Sequence, residues 1–478
     1  MAKIALQLLT QEEMDRIHAA SLALLQDVGM AIMDAEALDI LAGAGAKVDK
    51  ASRRVRFPAD LVEGAIRKAP SEVTLYGRDL SRPAILLCQG NVYFSTSGYA
   101  VQLYNPGTRT RRLVTQQDLA WLTRLADGLD QVDIYALLAT PCDAPPATND
   151  RYQLAIALAN STRHIWNTAY GPEGVRDAVQ MATVVRGSRE ALRQYPLFTL
   201  DLTTLSPLQL DERQASTMVE GARQGLPIGI SPGPIAGATG PVTLAGTLTQ
   251  ANAEALGAIT LCEVVQPGVP VIYTQWTRSL DMASGGVTMG GPEFSLLRIA
   301  TAEMAGYYNL PSRGGGLMAD AKAADAQMGA EKMLNCLMAA LAGLNVVAGV
   351  GQADFINTVR PDLMLIDNEI IGVVKRMLRG IEVNGETMAA GIVKEVGPGG
   401  HYLTMDHTVD HFRQELWFPV LWDRRPWGPW EEAGAQDVAA RAWEKVKQNK
   451  HVVPPLTGDV ERAIWEVVCA ADRRCLVS

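Results

Sequence analysis

Eight short apolar runs without polar alternation, separated by helical patterns along 478 residues, predict an α/β protein built on a closed (β/α)8 TIM-type barrel. Strands apolar on both faces must be covered on both faces, which a parallel barrel or an open doubly wound sheet can do. The count of eight favours closure and leaves the open sheet as the alternative. The chain is longer than a bare barrel, and its texture changes twice. An N-terminal helical module with a small β element is expected over 1–85 and the barrel over 86–385. An aromatic-rich loop with C-terminal helices packing on the barrel is expected over 386–478.

The module opens with a helix over 10–29, in which Thr10 is placed to cap together with Glu13, and Met14, Ile17, Leu22, Leu25 and Val28 form an apolar stripe before Gly29. Helices over 34–44 and 58–68 follow, and between them Val48 to Phe57 alternates like a short hairpin. Barrel strands are expected at 91–104, 131–140, 163–170, 196–202, 226–231, 269–275, 311–317 and 344–349. Helix signals mark 173–187, ending at Gly187-Ser188, and 241–265, with Pro241 in its first turn. They also mark 293–309 after Pro292, 324–342 closed by Gly343, and 361–379 between Pro361 and Gly380. In the C-terminal part, Trp417, Phe418, Trp422, Trp427 and Trp430 form an aromatic tail. Helices over 435–449 and 458–472 are expected to contact other subunits of a homo-oligomer or a partner.

A net charge of -9 argues against nucleic acid or an anionic membrane as the main partner. Cysteines 88, 142, 262, 336, 469 and 475 include no Cys-x-x-Cys pair, and the N-terminus soon turns acidic at Glu12, Glu13 and Asp15 instead of forming a signal peptide. A cytoplasmic protein with free thiols is expected. No apolar run reaches the ~20 residues of a membrane helix.

Ligands of a barrel sit at the carboxyl ends of its strands, which gathers Trp166, Asp201, Thr204, Gln275, Trp276 and Arg313 around one mouth. The turn after the eighth strand, Gly349-Val350-Gly351-Gln352, joins them. Its two glycines leave backbone bare beside a polar amide, and it contains no Cys, His, Lys or carboxylate, so it reads as built to bind and not to attack. Aromatic residues make up only 6% of the chain, yet Tyr93, Phe94, Tyr99, Trp166, Tyr170, Tyr273, Trp276 and Phe355 fall on or beside expected strands. Several such rings at a mouth suit a quaternary ammonium ion, although each ring alone is ordinarily core. Ser312-Arg313-Gly314-Gly315-Gly316 is either an anion cradle or a tight strand end.

Other chemistries find little support. His407 and His411 stand four apart with His401 nearby, but His407-Thr-Val-Asp-His411 lacks a metalloprotease glutamate, so no metal is expected. Asp281, Glu293, Glu303, Asp320 and Asp325 are not spaced to force an acid/base pair. No Gly-x-Ser-x-Gly, phosphate-loop lysine or dinucleotide fingerprint occurs.

Ser206-Pro-Leu208, the run Gly237-Ala-Thr239-Gly-Pro-Val-Thr-Leu-Ala-Gly246, Gln266-Pro-Gly268-x-Pro270, Ser279-Leu-Asp281-Met with Gly291-Pro-Glu293, Pro106-Gly107 with Arg111-Arg112 through Asp118, and Gly397-Pro-Gly-Gly-His401 with His407-Thr408 together resemble the trimethylamine methyltransferase family. The likeness runs in order from about residue 10 to 470. It implies a barrel enzyme that passes a methyl group from a methylated amine to the cobalt of a corrinoid (cobalamin-type) cofactor carried by a separate, cognate protein. The chain itself would then hold no tightly bound cofactor, no metal and no catalytic nucleophile. Trimethylamine-specific members carry pyrrolysine in the barrel, whereas the expected position reads Gly349-Val350-Gly351-Gln352 here. The resemblance is therefore to the branch without pyrrolysine, whose substrates are quaternary amines such as glycine betaine, proline betaine, carnitine and γ-butyrobetaine.

A quaternary ammonium leaves as a neutral amine and needs no general acid, which fits a site without one. The substrate-binding set expected on this reading is Phe94, Tyr99, Trp166, Asp201, Thr204, Gln275, Trp276, Arg313, Gly349, Val350, Gly351, Gln352 and Phe355. Rings would hold the ammonium, while the Gly349 to Gln352 amides and Arg313 would hold a carboxylate. The alternatives are a barrel lyase or isomerase taking an anionic substrate at Gly314 to Gly316, and a betaine-binding protein without catalysis.

Overall fold

The computed structural model describes residue 4 and residues 6–477; residues 1–3 and 5, part of the stretch read against a signal peptide, lie outside the described residues. Eight parallel strands close into a barrel: β1 (Tyr93–Thr96), β2 (Ile134–Ala136), β3 (His164–Asn167), β4 (Phe198–Leu202), β5 (Ile228–Ile230), β6 (Val271–Gln275), β7 (Ser312–Gly315) and β8 (Val346–Val350). Each pairs with the next, and β8 returns to β1 through Val346↔Tyr93 and Val347↔Phe94. All eight fall on the expected runs, with β8 reaching one residue further.

The first expected strand, 91–104, is two elements. β1 stops at Thr96, and Gln102–Asn105 belongs to a side sheet with Thr110–Leu113, Thr358–Val359 and Gln352–Ala353. The break lies at Gly98 (φ 147°) and Tyr99 (φ 53°), where extended geometry is lost.

The helices that follow the strands are α1 (Gln116–Asp127), α2 (Asn149–Asn160), α3 (Gly171–Arg186), α4 (Glu212–Arg223), α5 (Leu244–Val265), α6 (Pro292–Tyr307), α7 (Ala326–Leu341) and α8 (Pro361–Arg379). Periodicity marked α3 and α5 to α8 but not α1, α2 or α4. In α2 the reason is plain: nine of its twelve residues are buried, including Asp150 and Arg151, so no polar face sets a rhythm. Pro241 lies ahead of α5, whose cap is Thr243.

Below the barrel, a hairpin of Val73–Leu75 and Ile85–Leu87 packs against Ile134, Ala136, Trp166, Ile272 and Val346. This apolar plug closes the amino-terminal end, so only the carboxyl end can open to a ligand. The N-terminal helix, Gln11–Ala23, carries the expected Thr10/Glu13 capping box, and the expected hairpin is Lys47–Asp49 with Arg54–Arg56.

At the other terminus Glu369 of α8 accepts the backbone N–H groups of Val420 (3.0 Å), Leu421 (2.8 Å) and Trp422 (2.9 Å), anchoring the aromatic tail. The tail is only partly packed, for Trp427 remains 72% exposed. Helix Gly458–Val477 ties to the barrel through Tyr152 Oη to Asp472 (2.7 Å) and Arg474 to Asp177 (2.6 Å). Among the described residues no helix is long and apolar enough to cross a membrane.

Candidate active site

A cavity of about 360 Å³ opens at the carboxyl ends of the strands. One wall is the break after β1, Ser97 to Tyr99, and the facing wall is Asp201 of β4 with the loop Thr203 to Ser206. Ser231 and Gly233 follow β5, Trp276 follows β6, and Met289, Met318 and Ile356 complete the apolar side. Over the mouth lies a flap, a small sheet of Ile235–Ala236, Arg278–Leu280 and Val287–Thr288, which lends Ile235 and Arg278 to the lining. Among the described residues no Cys, His or Lys lines the cavity, and the charged ones that do are Asp201 and Arg278.

Beneath the cavity an ion pair is built into the barrel. Arg313 of β7 is fully buried, donates to Asp201 Oδ2 (3.2 Å) and to Ser97 Oγ (3.2 Å), and lies between two indoles, 4.4 Å from the Trp166 ring centre and 5.3 Å from that of Trp276. Ser231 Oγ donates to Asp201 Oδ1 at 2.6 Å. Two partners thus hold the carboxylate in one orientation, and the guanidinium is stabilised by both ring faces. Close packing permits this: a side chain at Gly229 would meet the Trp166 ring at 2.5 Å, and one at Gly315 would meet Trp276 at 2.9 Å.

The rim is fixed from behind by a single carboxylate. Glu254 of α5, fully buried, accepts from Thr204 Oγ1 (2.6 Å), Ser206 Oγ (2.8 Å), the Leu208 N–H (3.0 Å) and Gln250 Nε2 (2.9 Å). Four donors compensate the buried charge and immobilise the loop. Tyr99 presents a ring whose hydroxyl is pushed well above its ordinary pKa by burial and by Asp201, so it stays neutral.

Of the thirteen residues expected to bind substrate, Tyr99, Asp201, Thr204 and Trp276 line the cavity. Trp166 and Arg313 lie directly below it, engaged with each other. Phe355 is one layer back, packed with Trp276, Met289, Phe294 and Met318.

Phe94 and Gln275 point away from the site. Phe94 faces α8, with Lys375 Nζ 5.4 Å from its ring, and Gln275 donates to Tyr273 Oη and accepts from Thr301 of α6. Adjacent strand residues face opposite sides, so neighbours of inward-facing residues belong to the helix layer.

The turn after β8 corrects the reading further. Gly349, Val350, Gly351 and Gln352 are all buried and none lines the cavity. The Gly351 N–H, expected to meet a substrate carboxylate, donates to Asp367 Oδ2 at 2.7 Å, and that oxygen also accepts from Lys332 Nζ at 2.8 Å. Gly351 has φ 86°, and a side chain there would meet Met364 at 2.7 Å, so the glycine serves backbone geometry and packing. The Gln352 amide packs behind Gly98 and donates to the Leu138 carbonyl at 3.3 Å.

The glycine cluster is likewise a tight strand end. Gly315 faces Phe294 and Trp276, and a side chain at Gly316 would meet Val347 at 2.3 Å, which leaves no anion cradle. His407 and His411 stack with ring centres 4.4 Å apart, and among the described residues no group of three or more His, Cys, Asp or Glu could hold a metal ion.

Sequence reasoning missed Ser97, Ser231, Arg278, Met289 and Met318. Arg278 stands one residue before the Ser279-Leu-Asp281 motif, and only the flap's position turns it toward the mouth.

Residues 2–474 match the family model described as trimethylamine methyltransferase. The chain is 35% identical over 436 residues to trimethylamine methyltransferase MttB of Desulfitobacterium hafniense, covering 91% of this chain and 88% of that one. It is 33% identical to MttB of Methanosarcina barkeri, covering 98% and 96%. It is also 30% identical over 458 residues to a glycine betaine methyltransferase of Desulfitobacterium hafniense, covering 95% of each chain. Among solved structures, the monomethylamine methyltransferase of Methanosarcina barkeri shares the fold at a TM-score of 0.53 and 11% identity, covering 96% of this chain and 86% of that one. With a family match over nearly its whole length and relatives above 30% identity across nine-tenths of it, the chain belongs to the trimethylamine methyltransferase family.

Proposed function

We propose that this methyltransferase takes a methyl group from a small quaternary amine of the betaine type, such as glycine betaine, proline betaine, carnitine or γ-butyrobetaine, and passes it to the corrinoid of a separate cognate protein. The observation that carries the reading is the cavity itself. It offers the rings of Tyr99 and Trp276 beside Asp201, and among the described residues no Cys, His or Lys lines it. Such a lining can hold a preformed cation and cannot supply a strong nucleophile at neutral pH. When docked at the mouth, the reduced corrinoid supplies that nucleophile.

The chain's own residues bind, orient and exclude water. Tyr99 and Trp276 accommodate the ammonium head at their faces, and Asp201 offsets part of its charge while Ser231 and Arg313 hold that carboxylate still. Fixing one N–methyl bond along the line of attack lowers the entropic part of the barrier. Met289, Met318 and Ile356 keep the reacting methyl dry, which favours a step that disperses charge. The leaving amine departs neutral, so no general acid is required. The glycine betaine methyltransferase relative supports this substrate type.

Mixing the protein with each betaine, a cognate corrinoid protein in its reduced state and no other donor, then following cobalt methylation by absorbance, tests the reading. Methylation with a betaine and none with trimethylamine is expected. Methylation with trimethylamine alone would overturn it.

A further inference from the structure

Arg278 is the arginine of this site that has no counter-ion. It lines the cavity from the flap, yet among the described residues its guanidinium makes no hydrogen bond and no ion pair, and its Nε is buried without a partner. Its sole stabilising contact is the Phe355 ring face, 5.6 Å from its Cζ. The other two arginines nearby are engaged: Arg313 with Asp201, and Arg298 with the carbonyls of Gln275 and Thr277. Asp201, the cavity's acidic lining residue, is held by Arg313 and Ser231 and does not reach Arg278 as an ion-pair partner.

An arginine retains its charge at any physiological pH, and a half-buried guanidinium with unmet donors is costly until an anion meets it. Its planar fork matches a carboxylate with two parallel hydrogen bonds. From this we infer that Arg278 is the carboxylate anchor of the substrate site. The site therefore selects quaternary amines that carry a carboxylate over those, such as choline or tetramethylammonium, that carry only the cation. This rests on the quaternary-amine reading for the identity of the other end of the ligand. The anchor belongs to the flap, whose turn at 281–286 is exposed, so an engaged carboxylate also ties the flap to the bound ligand.

Two probes separate the ends of the ligand. 3,3-Dimethylbutanoate has the shape and carboxylate of glycine betaine with a neutral head, and tetramethylammonium has the charged head alone. Calorimetric titration of the full chain is expected to show 3,3-dimethylbutanoate binding that weakens about 30-fold or more in Arg278→Gln, the loss of a charge-assisted bidentate contact. It should weaken by only about 10-fold in Arg278→Lys, which keeps the charge and loses the fork. Tetramethylammonium binding should change less than about 3-fold in either variant.

Equal binding of 3,3-dimethylbutanoate by wild type and Arg278→Gln, or none by wild type, overturns the anchor. So does demethylation of choline as efficient as that of glycine betaine. If Arg278→Gln does not fold, Arg278→Lys alone decides, because a fork-dependent carboxylate site must still lose affinity there. Should 3,3-dimethylbutanoate binding depend on Arg278 while no betaine methylates cobalt, the anchor stands and the methyl-transfer reading falls.

Discussion

The turn leaving β8 and the flap above β5 and β6 invert what their sequences advertise. Gly349 to Gln352 looks like bare backbone awaiting a ligand, yet it is buried, and its Gly351 N–H is already taken by Asp367. The flap strand Arg278–Leu280 draws notice in the sequence only for its Ser279-Leu-Asp281 motif, yet it is Arg278 that delivers to the cavity a cation with no ion-pair partner among the described residues. Binding capacity is therefore measured by which polar groups remain unmet after folding, and not by which residues are small or polar. A glycine pair at a strand end is equally the mark of close packing, here against Met318 and Met364.

Substitutions in the two regions should act on different quantities, stability at the β8 turn and affinity at the flap. The largest effect is expected from Lys332→Ala, which leaves Asp367 buried without its ion-pair partner beneath the β8 turn. It should lower the unfolding free energy in urea by about 3–5 kcal/mol while the folded fraction keeps its affinity for glycine betaine. Lost affinity at unchanged stability would return the turn to the binding site.

Next comes Gly351→Val. The position has φ 86°, and the new side chain would collide with Met364, so a loss of about 2–3 kcal/mol is expected, again in stability and not in binding.

Arg278→Gln should behave in the opposite sense. Its stability should hold or rise, because no structural contact is lost beyond the Phe355 ring face and a partly buried, unmet guanidinium is removed. Its betaine affinity should fall by the 30-fold factor given above, about 2 kcal/mol. A destabilised variant with intact binding would reverse the roles of the two regions.

The smallest effect sharpens the picture through pH. Burial lowers the Arg278 pKa from its ordinary value, but that value lies so high that the guanidinium stays charged, and betaine affinity in the wild type should be flat from about pH 7 to 9.5. In Arg278→Lys the same burial acts on an ammonium whose ordinary pKa is about 10.4, so affinity should fall as the pH rises through that interval. The sign follows from the charged form being both the one disfavoured by burial and the one that binds carboxylate. A flat profile in the lysine variant would mean that the side chain sits in water and not in the cavity wall.

Much of the barrel was legible because its signals are local. Apolar runs, Pro292 and Pro361 at helix starts, and Gly187, Gly343 and Gly380 at helix ends each act within a turn or two of chain. The helices α1, α2 and α4 carried weaker marks, and in α2 buried polar residues such as Asp150, Arg151 and Gln153 erase the amphipathic rhythm. Of the cavity lining, Asp201, Thr204 and Trp276 were legible because a strand's carboxyl end is itself a local property, and Tyr99 only as a ring on an expected strand. Phe94 and Gln275 were misjudged because facing is decided by one residue of register.

The chain alone gave the eight strands, their order and the end at which the cavity opens, since periodicity, capping and strand count are carried by neighbouring residues. Tertiary structure alone decided which charges cancel. Arg313 and Asp201 are 112 residues apart and become partners, as do Lys332 and Asp367 across α7 and α8, whereas among the described residues Arg278 meets no acid. Pairing depends on distances across the closed barrel, and one-dimensional spacing does not encode those distances. The cavity's unmet cation thus appears only in the folded arrangement, where Arg313 has Asp201 and Arg298 has the carbonyls of Gln275 and Thr277.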